Sequence, residues 1–378
     1  MHHDGIHYYA LEGSKRGLLA MNHEYVDHGL LFKDGMANWS AEKVRKSQAA
    51  HGVAIVEVQD KGGKWEVVNP SKYARRITAT TRTELSGPAA GHALLKTAAD
   101  AAGRVVLGTL NNCASGITPW GTYLTSEENF INYFNGGDKL SDHEKRWGLK
   151  KGGGGYRWHE HDARFDATQN PNEPNRFGWI VEIDPNNPNA TPMKRTAMGR
   201  AAHEGATVAV TKDNRAVVYM GEDARFEYIY KFVSRDTIKS GGAAANATLL
   251  DHGTLYVAKF NADGKGQWIA LTQGQGPLTA ANGFADQAEV LIKSRQASDL
   301  LGATKMDRPE WIDVDKQGWV YATLTNNSNR GGDKQPAVDA ANPRANNTQG
   351  NIIRWKEDVD FHATTFAWNH FILAGDAS

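Results

Sequence analysis

Residues 203–219, HEGATVAVTKDNRAVVY, read as two strands joined by a polar hairpin turn. Glu204 opens the first strand, Asp213-Asn214-Arg215 supply the turn chemistry, and Val218-Tyr219 sit on the second. Residues 309–321, PEWIDVDKQGWVY, repeat the pattern, with Glu310 at the start and Val320-Tyr321 on the second strand. Residues 120–127, WGTYLTSE, resemble the second strand alone. Glu204 and Glu310 lie about a hundred residues apart, which is roughly two blades of a propeller at ~40–50 residues per blade. Antiparallel units repeated in this way bury their edges by radial closure. The fold class expected is therefore all-β, a β-propeller with a few inserted helices and long loops.

Working outward, strand signals dominate. Residues 53–58, 179–183, 217–220 and 226–232 are short apolar or alternating runs. Residues 255–260 and 268–271 flank Asn261-Ala262-Asp263-Gly264, a hairpin by its turn chemistry. Helical periodicity covers residues 285–301, with Gly302 as the stop, and a second helix is expected over 41–50. A parallel α/β sheet would need helices between most strands, and they are missing. Residues 150–155 (KKGGGG) read as a surface loop; no GK[ST] follows to make a phosphate cradle. Residues 326–349 read as a long Asn- and Gly-rich loop.

Composition narrows the class. The chain has 378 residues, with 43 Lys+Arg against 43 Asp+Glu, so no global basic field marks it as a nucleic-acid binder. One cysteine excludes an intrachain disulfide framework. No apolar run reaches the ~20 residues of a membrane-spanning helix. The N-terminal residues show no charged and apolar leader pattern, so no export signal is expected in this sequence. The apolar run at 366–374 just before the end suggests a single propeller domain over 1–378, truncated at one or both ends.

In a propeller the innermost strands line the axis, so a carboxylate at one place in successive repeats converges on its counterparts. Such groups repel unless protonated or bridged by cations. Glu204 and Glu310 are therefore expected to be metal ligands. Asn22-His23-Glu24-Tyr25, after an apolar run, makes Glu24 a third. Cys113, in the small-residue stretch NNCASG, is expected in a turn, open to a cleft, as a thiolate ligand or nucleophile. Glu127-Glu128 could add carboxylates, although paired glutamates are usually solvated, and His159-Glu160-His161-Asp162 reads as a weaker ligand cluster. Arg308 stands two residues before Glu310, on the same face of an extended strand, as an anion clamp suited to phosphate. No G-x-S-x-G elbow, H-E-x-x-H helix or EF-hand loop appears.

Several segments together resemble the PhoX-type alkaline phosphatases, which are bacterial secreted phosphomonoesterases with a β-propeller fold. They are residues 111–129 (NNCASGITPWGTYLTSEEN), 155–184, 203–206 (HEGA), 219–233, 306–311 (MDRPEW), 342–355 (NPRANNTQGNIIRW) and 373–376 (LAGD). The resemblance implies ferric iron and calcium ions clustered at the propeller mouth and bridged by an oxo group. It also implies an iron-ligating Cys113, metal-ligating Glu204 and Glu310 with Glu24 as a further ligand, and Arg308 on the substrate phosphate. Arg308 and Glu310 would carry the catalysis, and Ser126 stands where many relatives place a second cysteine. Further implications are small phosphomonoester substrates, a periplasmic or extracellular location and a monomer. Two other readings compete: a calcium-dependent propeller lactonase or esterase, which needs no thiolate, and a propeller that only binds partners. Fold alone does not choose among them.

Overall fold

Alternating apolar residues punctuated by Gly and Asx turns fold into short antiparallel strands grouped as four blades. The computed structural model describes residues 2–375, so Asp376 of the LAGD match lies outside the described residues. The first blade holds β1 (His2–Glu12), β2 (Arg16–Tyr25), β3 (Gly52–Asp60), β4 (Trp65–Val67) and β5 (Arg75–Ile77). The second holds β6 (Arg82–Ser86), β7 (Val105–Leu107), β8 (Asn112–Ile117), β9 (Tyr123–Glu127), β10 (Ile180–Ile183) and β11 (Met193–Arg195), in the order β7-β6-β11-β10-β9-β8. The third comprises β12 (His203–Val210), β13 (Arg215–Glu222), β14 (Ile229–Thr237), β15 (Gly253–Phe260) and β16 (Lys265–Ala270). The fourth comprises β17 (Pro309–Val314), β18 (Trp319–Leu324), β19 (Asn351–Glu357) and β20 (Thr365–Leu373), and pairing of β16 with β20 joins it to the third. The expected all-β propeller class holds.

The edge strands β1, β8, β12 and β17 pack against one another in that order and form the inner wall. The two repeats that decided the fold are the inner hairpins β12–β13 and β17–β18, and residues 120–127 enclose β9, the partner of β8. Apolar side chains between blades form the core, with Val218, Tyr230, Phe232 and Val257 fully buried in the third blade.

Three local readings differ. The helix expected over 285–301 is two helices, Gln287–Ile292 and Ser294–Leu301. Its ladder is broken because the Leu291 carbonyl accepts the Arg200 N–H at 3.0 Å instead of an intrahelical donor. The strand expected from 226 begins at Ile229, because Phe226 has φ 69 and its N–H donates to the Met306 carbonyl at 2.8 Å. The long loop 326–349 is ordered around the fully buried carboxylate of Asp307. That carboxylate accepts from Arg330 Nε at 2.8 Å, Asn327 Nδ2 at 2.9 Å and Asn347 Nδ2 at 3.1 Å. The helix over Ala41–Ala50 forms as expected, capped by Ser40.

Candidate metal and phosphate site

Each inner strand carries an irregularity of register at a side chain that joins the cluster. In β1 the register slips between His3 and Ile6, around Asp4. In β8 it slips between Asn112 and Ser115, around Cys113. In β12 it slips between Glu204 and Thr207, and in β17 between Pro309 and Ile312, around Glu310. A bulge leaves a residue out of the ladder, bends the strand and re-aims its side chain. Four bulges at corresponding places therefore turn four donor side chains toward one space.

The ligand atoms there form three overlapping trios: Asp4, Cys113 and Glu204; Glu24, Cys113 and Glu128; Glu128, Glu204 and Asp223. Within each trio they lie within 4.8 Å of one another. Cys113 Sγ donates to Glu204 Oε1 at 2.9 Å. Arg308 donates to Asp223 through Nε at 2.9 Å and Nη2 at 2.7 Å, and its Nη2 lies 3.6 Å from Glu310 Oε1. The structure thus gathers the sequence candidates Glu24, Cys113, Glu204, Arg308 and Glu310 at one place.

The carboxyl groups are tuned toward the protonated form. Burial, then the charges of Asp4, Asp223 and Glu310, raise Glu24 to about 7. Burial and neighbouring acids hold Glu128 and Glu204 well above the ordinary carboxylate range. Burial also raises Asp4, Asp223 and Glu310, against the pull of Arg308 on the last two. The Cys113 thiol is pushed far up by burial, with Glu204 the leading charge. Partial burial works against the charge on Arg308, but its hydrogen bonds to Asp223 outweigh that and hold it charged. Six carboxyl groups and one thiol around a single guanidinium is a charge imbalance that bound cations relieve. Oxygen donors suit hard cations, and the added sulfur suits a transition metal.

Two placements correct the sequence reading. Cys113 lies on β8 and is buried, not in an open turn; NNCASG lacks the branched and aromatic residues that mark a strand. Arg308 precedes β17 with φ 57, so its approach to Glu310 comes from a left-handed residue and a bulge rather than from extended i, i+2 geometry. His159-Glu160-His161-Asp162 joins none of the ligand groups among the described residues; Glu160 pairs with Arg157 at 2.6 Å, and Asp162 accepts from Gln48 at 2.8 Å.

Asp4 was not anticipated, Glu128 was read as solvated but is buried with Glu127, and Asp223 was not anticipated either. The last two share a signal: β9 and β13 each run out into two acids, Glu127-Glu128 and Glu222-Asp223. The first of each pair is consumed inside the blade. Glu127 meets Lys194 at 2.7 Å, and Glu222 meets Arg295 at 2.7 Å. The second of each pair is left at the axis.

A family model, "Alkaline phosphatase PhoX", matches residues 1–378. The chain belongs to the PhoX alkaline phosphatase family. A solved structure described as "Pseudomonas fluorescens PhoX in complex with vanadate, a transition state analogue" is 52% identical, with a TM-score of 0.96. The match covers 99% of this chain and 67% of that chain. No curated protein matches. As a PhoX family member the protein is a metal-dependent phosphatase that hydrolyses phosphate monoesters. The binding-only and lactonase readings give way to this one.

Proposed function

We propose that the cations are ferric iron and calcium, and that Arg308 receives the substrate's phosphoryl group. The observation that carries this reading is the convergence of the Cys113 sulfur with Asp4, Glu24, Glu128, Glu204 and Glu310 beside one guanidinium. Cys113 and Glu204 would hold iron, since a thiolate is a soft donor that calcium does not favour. Glu24, Glu128, Asp4 and Glu310 supply oxygen donors suited to calcium. When bound, the cations supply Lewis acidity toward a phosphoryl oxygen.

The chain's own residues do the rest. Arg308 presents a planar cationic fork, which complements phosphate oxygens and the charge that grows on them during transfer. Glu310, 3.6 Å from that fork, limits its swing and helps fix its direction. Cys113, Glu128 and Glu204 are buried, which strengthens the charge interactions among them. Small phosphomonoesters are the substrate class, and a single propeller domain acting outside the cytoplasm is the setting. No described helix is long and apolar enough to cross a membrane.

Cys113→Ser tests the assignment of iron. The serine keeps a hydroxyl donor to Glu204 but removes the thiolate. Iron content, measured by elemental analysis, should fall with phosphatase activity while calcium is retained. Full iron content in the variant would remove Cys113 from the cation site.

A further inference from the structure

We propose that Asp223 is a positioning residue: its carboxylate fixes the Arg308 guanidinium in the orientation that receives phosphate, and does not serve as a cation ligand. The proposal rests on the reading of Arg308 as the phosphate-binding residue.

Asp223 lies within 4.8 Å of Glu128 and Glu204, but it differs from them in giving both oxygens to Arg308. Both of its oxygens are engaged by one guanidinium edge, Nε to Oδ1 at 2.9 Å and Nη2 to Oδ2 at 2.7 Å. A bidentate fork of this kind sets the plane of the guanidinium as well as its position. Among the described residues Nη1 makes no hydrogen bond, while Nη2 donates to Asp223 and lies 3.6 Å from Glu310 Oε1. Nη1 is therefore the donor left for a tetrahedral dianion. Asp223 itself is held firmly: its side chain is only 8% exposed, and its N–H donates to the Ala202 carbonyl at 3.0 Å.

The local backbone serves the same pairing. Asp223 follows β13 and Arg308 precedes β17, so the pair bridges the third and fourth blades. A side chain at Gly221 would bring its Cβ to 2.4 Å from the Glu310 carbonyl oxygen and 2.7 Å from that of Pro309. Glycine there lets the two strands close until the fork can form. Arg308 adopts φ 57 immediately before Pro309, a conformation that non-glycine residues avoid and that a following proline further disfavours. Such a residue persists where its surroundings over-determine it. The fork to Asp223 and the Arg308 carbonyl accepting from Thr325 N at 3.3 Å are two of those constraints.

The experiment compares Asp223→Asn, Arg308→Ala and the double variant with the wild-type holoenzyme. It reads inhibition by inorganic phosphate, KM and kcat on p-nitrophenyl phosphate, and metal content by elemental analysis. Asparagine offers one acceptor and sets an amide N–H₂ against the other guanidinium nitrogen. Asp223→Asn should weaken phosphate inhibition and raise KM about tenfold, with metal content at the wild-type level. Added to Arg308→Ala, it should cause no further loss. Loss of a metal equivalent in Asp223→Asn, or effects of the two substitutions that multiply, would overturn the positioning role. Unchanged phosphate inhibition in Arg308→Ala would sink the underlying reading instead, and the proposal with it. If Asp223→Asn does not fold, Arg308→Lys takes its place: an ammonium cannot donate the two-nitrogen fork to Asp223, so phosphate inhibition should weaken with metals intact, and metal loss there would count against the proposal.

Discussion

Cys113 Sγ lies 2.9 Å from Glu204 Oε1, the thiol donating, although the two residues stand on the inner strands of different blades. The contact brings the chain's one thiol into a cluster of acids that holds it protonated through burial and repulsion. In cation-free protein near neutral pH the thiol should therefore react with Ellman's reagent far more slowly than in urea-unfolded protein. Equal rates in the two states would place the sulfur outside the cluster.

The acids themselves predict a pH dependence. Glu24 is raised from an ordinary 4.5 to about 7 in the folded chain. A carboxyl group raised on folding contributes stability while it is protonated and loses it as pH climbs through its folded value. Chelator-treated protein should thus lose Glu24's contribution between pH ~5 and ~7. Urea unfolding at pH 5 and pH 8 should show a smaller drop in Glu24→Gln than in wild type. Identical pH slopes in the two proteins would contradict the assignment.

Charge relief and cation binding should pull in opposite directions at Glu128. The side chain is 2% exposed and surrounded by Glu204, Asp223 and Glu24. Glu128→Gln removes an acid that folding must either protonate or bury as a charge, so the melting temperature of cation-free protein should rise, on the order of 1–3 °C. Calcium affinity, measured by isothermal titration calorimetry, should fall. A lower melting point together with unchanged affinity would show that Glu128 is structural.

The bulges offer a test at the backbone. Gly205 sits in the β12 bulge with φ 102, a conformation open to glycine and costly for other residues. Space is not the obstacle, since a Cβ there would meet only Ala114 Cβ at an ordinary 3.6 Å. Gly205→Ala should therefore destabilise the fold by about 1–3 kcal/mol through strain alone and tilt Glu204 off the axis. Metal content should drop more than the loss of folded protein explains. Wild-type stability and metal content would mean that the bulge does not aim Glu204.

The inner hairpins could be read from sequence because their pattern is local: period-two alternation, an Asx or Gly turn, and a repeated Val-Tyr pair. Glu204 and Glu310 were legible for the same reason, since each opens one of those hairpins. The bulges were not, because a slip in register depends on the partner strand. Glu128 and Asp223 hid behind Glu127 and Glu222, whose burial is decided by Lys194 and Arg295 in distant segments. Asp4 lies on β1, whose residues 2–4 lack an apolar alternation that would mark an inner strand. Cys113 was singled out for its thiol but misplaced as structure, because NNCASG has turn composition and is held as a strand by β9 and by Asn22, whose Nδ2 donates to the Cys113 carbonyl.

The central claim is that acids and one sulfur from all four blades hold cations without which phosphate esters are not cleaved. Elemental analysis of protein purified without chelator, with p-nitrophenyl phosphate turnover measured on the same sample before and after metal removal, tests it most directly. The account predicts iron and calcium in whole-number ratio to protein, turnover abolished by removal and restored by returning both ions. Undiminished turnover in metal-free protein would contradict it.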